Sequence, residues 1–343
     1  MKKYMIFLAV LAIVFACASK DDVKNIKPEL EPVVLAYVTS WSNVTPDPTY
    51  LTHVNYAFGH VNDEFNGIRI DNEERLKLMV SLTEKKPSLV VMLSVGGWGS
   101  GRFSEMAADE TNRKAFAADC RRVVEQFKLD GIDLDWEYPS SSMAGISSSP
   151  EDTGNFTLLV RNIREEIGNN KLLTFASSAD AKYVDFKAVE PYLDFVNIMT
   201  YDMNNPSNDP YPCHNAGLYR SEHTWSLSVD EAVIAHIDAG IPPQKLTLGI
   251  PFGGKGLRGV RFSNVGAQTD YTKEWDDQAK AAYLADVEGN FVHTYEEPRA
   301  ITYKCEYLHE KGLLGAMYWE YSQDDEAGTL RKAVYDGVMK TKE

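Results

Sequence analysis

The chain is expected to fold as a (β/α)8 barrel, and three observations carry that expectation. From residue 32 onward, short apolar, β-branched runs alternate with longer amphipathic stretches, the pattern of a parallel sheet wrapped by helices. Eight such runs occur, which favours a closed barrel over an open sheet. The length of 343 residues accommodates one large domain with a substantial core.

The expected strands are residues 33–38, 54–58, 89–94, 131–136, 172–177, 195–200, 246–250 and 315–319. The clearest helices between them are 72–84, 111–127, 152–167, 229–239, 298–309 and 326–338. The first and fifth connections are short and weakly patterned. In a barrel of this kind functional groups lie at the C-terminal ends of the strands, so the last residues of each strand are where chemistry is sought.

Ahead of the domain, Lys2 and Lys3 precede an apolar run over 5–16, the layout of a secretory signal and too short for a membrane span. The run ends Val14-Phe15-Ala16-Cys17, which resembles a bacterial lipobox in which Cys17 is acylated; an ordinary signal peptide with an incidental cysteine is the alternative. Residues 17–31 are polar and lack apolar periodicity, so they are expected to tether a domain spanning 32–343. Lys20-Asp21-Asp22 resembles the acidic export tag of surface-displayed lipoproteins. An exported, outer-membrane lipoprotein is expected, with its cell-surface or periplasmic face left open.

The net charge of -15 argues against nucleic acid and anionic membrane surfaces as partners, since both require basic patches. A neutral substrate fits better, membrane contact is expected through the lipid alone, and a monomer is expected. Beyond Cys17 the cysteines are Cys120, Cys213 and Cys305, without metal-ligand spacing or a CxxC pair, so buried thiols are expected and no metal or organic cofactor is implied.

The fourth strand reads Asp130-Gly131-Ile132-Asp133-Leu134-Asp135-Trp136-Glu137-Tyr138-Pro139. Strand alternation puts Asp133, Asp135 and Glu137 on one face, toward the barrel interior, with Ile132, Leu134 and Trp136 on the other. Three stacked carboxyl groups cannot all ionise at neutral pH, so at least one proton is retained and shared along the row. Glu137, at the open end, is placed to donate that proton to a leaving group. A solvated acidic face is the bland alternative, and it fares poorly on a buried-type strand. The parity of Asp130 differs from that of the other three acids, so it is expected to brace neighbouring strand ends.

This run resembles the D-x-x-D-x-D-x-E signature of family 18 glycoside hydrolases, the chitinases. Companion motifs follow in order: Tyr37 on the first strand, Asn55-Tyr56-Ala57-Phe58 on the second, Ser94-Val95-Gly96-Gly97-Trp98 on the third, Met199-Thr200-Tyr201-Asp202 on the sixth and Trp319 on the eighth. The resemblance covers nearly all of 33–338 and implies hydrolysis of N-acetylglucosamine-containing glycans without a protein nucleophile, the substrate's own 2-acetamido oxygen attacking the anomeric carbon. It implies that Glu137 protonates the glycosidic oxygen and later activates water, that Asp135 orients the acetamido group, and that Asp133 holds the proton that lets Asp135 switch partners. It gives Tyr201 the role of hydrogen-bond donor to the acetamido oxygen. Tyr37 and Ser94 are expected to satisfy Asp133 from below. Trp319 is expected under the distorted sugar, with Trp98, Tyr138 and Phe58 flanking neighbouring rings. Met199 and Asp202 complete the expected substrate site, and Gly96 and Gly97 are structural parts of the motif.

Two departures stand out. After the seventh strand the family usually shows Pro-Phe-Tyr-Gly-Arg, whereas this chain has Pro251-Phe252-Gly253-Gly254-Lys255. The segment 253–297 is also too short for the full α+β insertion of many relatives, which predicts a shallower groove. Trp225 and Trp275 are read as loop residues without a role. Two other functions stay open: an endo-β-N-acetylglucosaminidase acting on N-glycan cores, and a non-catalytic chitin-binding lectin. The residues around Asp135 and Met199–Asp202 look more like the chitinase branch, and the retained Glu137 speaks against the lectin.

Overall fold

The computed structural model describes residues 30–204, 212–254 and 260–340. The expected signal, Cys17 and most of the tether lie outside the described residues, as does Lys255. Leu30, at the end of the expected tether, packs against the apolar cluster inside the barrel.

Twelve strands and nine α-helices occur among the described residues. The strands are β1 (Val33–Thr39), β2 (His53–Val61), β3 (Ile68–Ile70), β4 (Val90–Gly96), β5 (Gly131–Asp135), β6 (Leu172–Ser178), β7 (Phe195–Met199), β8 (Leu246–Pro251), β9 (Thr272–Asp276), β10 (Ala281–Ala285), β11 (Phe291–Tyr295) and β12 (Gly315–Trp319). The helices are α1 (Glu73–Ser81), α2 (Phe103–Ala108), α3 (Glu110–Phe127), α4 (Asp152–Ile167), α5 (Phe186–Val189), α6 (Val229–Ala239), α7 (Phe262–Val265), α8 (Pro298–Lys311) and α9 (Thr329–Met339). Strands β1, β2, β4, β5, β6, β7, β8 and β12 pair in parallel, and β1 pairs with both β12 and β2, so the sheet closes on itself as the expected (β/α)8 barrel.

Both faces of each barrel strand are buried, which is why the strands read as continuous apolar runs. Outward residues such as Val54, Leu93, Ile132, Leu134 and Phe175 join one large core beneath the helices. Inward residues such as Val33, Leu35, Met92, Phe195 and Met317 form a smaller cluster inside the barrel. Trp136 follows β5 and turns outward, its ring stacked on Phe103 of α2 at 5.3 Å and tilted against Phe156 of α4 at 6.2 Å. Burying a side chain of that size stabilises the fold by about 2–3 kcal/mol. At the opposite end of the barrel, Arg164 of α4 pairs with Asp194 at 2.5 Å, and Asp194 also accepts the Leu173 amide at 2.8 Å. That buried pair ties a helix to two strand ends, and removing one partner would strand the other charge.

Several elements differ from the sequence expectation. The helix expected at 72–84 splits, because Asn72 is its N-cap, accepting the Arg75 amide, and its last turn, Leu82–Glu84, is a 3₁₀ helix. The helix expected at 326–338 starts later, at Thr329, after Gly328 in a left-handed conformation at φ 73°. The fourth strand's ladder ends at Asp135, one residue early. The segment 253–297 is short but folds: β9, β10 and β11 make a separate three-stranded antiparallel sheet. Trp275, read as a loop residue, lies on β9, where Arg299 stacks 3.8 Å from its ring centroid. The alternation rule missed β9 because Thr272-Lys273-Glu274 is exposed and polar.

Candidate active site

The site is built on β5 and the strand ends around it. Ser94 lies beside Asp133 and Gly96 beside Asp135 in the β4–β5 register. Gly96 has φ 132°, and a Cβ there would lie 2.0 Å from the Asp135 carbonyl oxygen. Gly97 donates its amide to that same carbonyl at 2.8 Å, and a Cβ on it would strike the Phe58 ring at 2.7 Å. Only glycines let the third barrel strand run this close to the acid row. Asp130 sits at the other end, accepting the Val91 amide at 2.8 Å while its carbonyl accepts the Leu172 amide at 2.8 Å, so it links β4, β5 and β6.

Asp133 is fully buried and receives four donors. Tyr37 Oη (2.9 Å) and Ser94 Oγ (2.7 Å) meet Oδ2, while Thr174 Oγ1 (2.5 Å) and Asn197 Nδ2 (3.2 Å) meet Oδ1. Asn197 is held in turn by Thr247 Oγ1 at 2.7 Å. Burial raises the Asp133 pKa and these four bonds oppose the rise. Asp135 has no such support. It is buried, its Oδ1 has no hydrogen-bond partner among the described residues, and burial followed by the charges of Glu137 and Asp133 pushes its pKa well up. Burial thus pushes Asp135 toward its protonated form, while at Asp133 four donors oppose that push. Glu137, further toward the mouth, has its pKa raised to about 7, chiefly by burial, with Asp202 adding to the rise and a hydrogen bond from Tyr138 opposing it. A carboxyl group with that value gains and loses its proton near neutral pH, the property suited to a general acid.

Around this row the structure brings most of the expected residues together. Tyr201 lies within electrostatic reach of Asp135, Asp202 and Glu137, and burial first, then those charges, holds its hydroxyl protonated. Among the described residues its oxygen meets only the Met317 sulfur, at 3.8 Å, a weak acceptor that leaves the O–H available to a ligand. Met199, Tyr201 and Trp319 pack on the interior cluster. Trp319 stacks on Phe58 at 5.8 Å and meets Tyr37 at 5.7 Å, forming an aromatic base beside the acids. Trp98 is 61% exposed and meets Tyr138 edge-on at 6.4 Å. Asp202 has a left-handed backbone at φ 54°, and its amide donates to Asn215 Oδ1 at 2.9 Å.

Sequence reasoning passed over Thr174 and Asn197, two of the four donors to Asp133, and three residues nearer the mouth. Trp41, 65% exposed, lies 6.2 Å from Phe58 just past the end of β1. Tyr183 stacks on Tyr138 at 5.0 Å past the end of β6. Both follow strand C-terminal ends, so the rule used for Trp98 would have found them. Asn215 sits in a long loop with no periodic signal. Cys120, Cys213 and Cys305 are buried, and no disulfide joins Cys120 to Cys305.

A row of buried acids with one proton-bearing carboxyl at its mouth, flanked by aromatic rings, can donate a proton to a sugar-like ligand and stack on it. Comparison with known proteins agrees. The family model for glycosyl hydrolases family 18 matches residues 33–324. Chitinase A1 of Niallia circulans is 30% identical, the match covering 85% of this chain and 56% of that protein, so the chain spans little more than half of that relative. Probable chitinase 2 of Drosophila melanogaster is also 30% identical, covering 89% of this chain and 74% of that one. A solved family 18 N-acetylglucosaminidase from Paenibacillus barengoltzii superposes with a TM-score of 0.83 at 35% identity, over 90% of this chain and 100% of that chain. The chain belongs to glycosyl hydrolases family 18.

Proposed function

We propose that the chain is a retaining glycoside hydrolase that cleaves β-1,4 bonds after N-acetylglucosamine in chitin or chitooligosaccharides by substrate-assisted catalysis. The observation that carries this reading is the gradient along β5: Asp133 saturated with donors, Asp135 unsatisfied, and Glu137 raised to about 7 at the mouth. Glu137 donates its proton to the glycosidic oxygen as the 2-acetamido oxygen attacks the anomeric carbon. Asp135 then carries negative charge against the developing oxazolinium ion, its proton passing to Asp133, and Tyr201 donates to the acetamido oxygen. Water activated by Glu137 opens the ring and restores the starting protonation. Trp319 supports the distorted sugar, and Trp98 and Tyr138 flank its neighbours.

One observation favours release of single sugars as a second reading: the Paenibacillus barengoltzii protein that the chain resembles across its full length is described as an N-acetylglucosaminidase. A product profile separates the possibilities. Incubation with chitooligosaccharides and with a high-mannose glycoprotein, read by mass, is expected to give shortened chitooligosaccharides and an intact glycoprotein. N-acetylglucosamine as the sole first product would assign exo action. Glycan release would make the protein an endo-β-N-acetylglucosaminidase, and binding without cleavage would make it a lectin.

The N-terminus carries a second part of the proposal, rested on the Val14-Phe15-Ala16-Cys17 run: export, acylation at Cys17 and attachment to the outer membrane. Labelled fatty acid is expected to enter the wild type and not Cys17→Ser. Equal labelling would overturn the lipobox reading.

A further inference from the structure

Trp98 reaches the mouth of the barrel on a tight turn over 97–100, closed by the Ser100 amide on the Gly97 carbonyl at 2.9 Å. Gly97 and Gly99, on either side of the tryptophan, have φ of 95° and 80°. A turn with glycine at both flanks is free to hinge, and a ring that is 61% exposed has little packing to fix it. Ordering the ring only when a sugar arrives would cost affinity, so whatever anchors the turn bears on binding.

The turn follows β4, which lies between β5 and β2 in the barrel. From the β5 side, the Asp135 carbonyl accepts the Gly97 amide at 2.8 Å. From the β2 side, Ser100 Oγ meets Nδ1 of His60 at 2.8 Å, and Nε2 of the same ring meets Asp71 Oδ2 at 2.9 Å. A carboxylate only accepts, so Nε2 carries the ring hydrogen. Burial lowers the His60 pKa against the opposing bond to Asp71, which favours the neutral ring and leaves Nδ1 to accept from the Ser100 hydroxyl. Asp71 is fixed in turn. Its amide donates to the Phe58 carbonyl at 3.2 Å, its carbonyl accepts from Tyr56 Oη at 2.7 Å, and its carboxylate pairs with Arg69.

His60 sits one residue past the last pairing of β2 with β4, Gly59 with Val95, and opposite Arg69 of β3. Closure of the barrel therefore does not call for a histidine there, whereas the bond to Ser100 does. A second tie between the same segments, Arg102 to Asp63 at 2.7 Å, is exposed and contributes little.

We propose that His60 is a positioning residue for substrate: through Ser100 it fixes the turn that presents Trp98, so that the ring is already in place to stack on a sugar. The proposal rests on the reading that Trp98 flanks a bound sugar.

The test is kcat and KM for chitohexaose hydrolysis by the full chain, with melting temperatures alongside. In His60→Ala and in Ser100→Ala, KM is expected to rise by about 3- to 10-fold, the worth of one hydrogen bond, with kcat within about twofold of the wild type. Both changes break the same bond, so the double variant is expected to match either single one. In a Trp98→Ala background, where KM is already raised, His60→Ala is expected to add nothing. An unmoved KM in either single variant, additive effects in the double variant, a rise that persists in the Trp98→Ala background, or a loss carried by kcat would each overturn the proposal. Should His60→Ala fail to fold, Ser100→Ala, which leaves β2 and β3 untouched, decides in its place. An unchanged KM in Trp98→Ala would overturn the stacking role of Trp98 itself and the proposal with it, an outcome distinct from all of these.

Discussion

At Asp133 four side chains from four strands converge on one carboxylate, whereas at Asp135, two residues along the same strand and also buried, Oδ1 meets none among the described residues. The barrel spends its interior polar groups on the inner acid and leaves the next one unsupported. Two carboxyl groups of the same type, on the same face of one strand, thereby come to differ in their partners and in what opposes the rise that burial imposes on their pKa values. The inner acid is held in place by the barrel and, in the proposed mechanism, receives the proton that Asp135 gives up. The acids nearer the mouth carry stored electrostatic cost that a ligand can relieve, the general pattern of a site whose stability is given up for function.

Substitutions can break this contrast, and the largest effect is expected at the mouth. Glu137→Gln removes the transferable proton and keeps the volume, so turnover should fall by about 100- to 10,000-fold with the melting temperature preserved. Substantial residual turnover on an unactivated substrate would sink the assignment. Tyr201→Phe removes a donor aimed at charge that appears only during reaction, and kcat should fall by an amount corresponding to roughly 2–4 kcal/mol, with KM less affected. A change confined to KM would place Tyr201 in ground-state binding instead.

Urea unfolding sharpens the comparison between the two buried aspartates. Asp133→Ala orphans donors inside the barrel and should cost about 1–3 kcal/mol. Asp135→Asn removes an ionisable group whose pKa is raised in the folded state, and the sign follows from that direction. Below the ordinary carboxylate range both folded and unfolded forms are protonated and the raised pKa costs nothing; as pH climbs, the unfolded chain ionises first and the folded state loses ground. Asp135→Asn should therefore be more stable than the wild type, by a margin larger at pH 8 than at pH 4. A margin that shrinks with pH would contradict the charge state assigned to Asp135.

Much of the barrel was legible because its physics is local. Parallel strands buried on both faces read as unbroken apolar runs, and Gly315–Trp319 has the bounds the sequence implied. Asp152–Ile167 and Val229–Ala239 likewise match, the latter framed by a capping box at Ser228 and Glu231 and by Gly240 in a left-handed turn. The acid row was legible from alternation alone. What escaped was non-local. The small sheet begins on an exposed polar strand, and β2 runs on to Val61 only because β3 folds back against it. Asn215 and Asp202 meet across a loop, and no period of the sequence relates them. Nor does alternation reveal that Asp133 collects donors from β1, β4, β6 and β7 while Asp135 collects none at Oδ1.

The measurement that tests substrate assistance most directly is proton NMR of freshly released product, paired with turnover of a fully deacetylated oligomer. Attack by the acetamido oxygen inverts the anomeric centre once, and water opening the oxazolinium ion inverts it again. The expected result is initial release of the β anomer and no cleavage of the deacetylated chain. Initial release of the α anomer, or equal cleavage of the deacetylated chain, would contradict the account and remove the roles assigned to Asp135 and Tyr201.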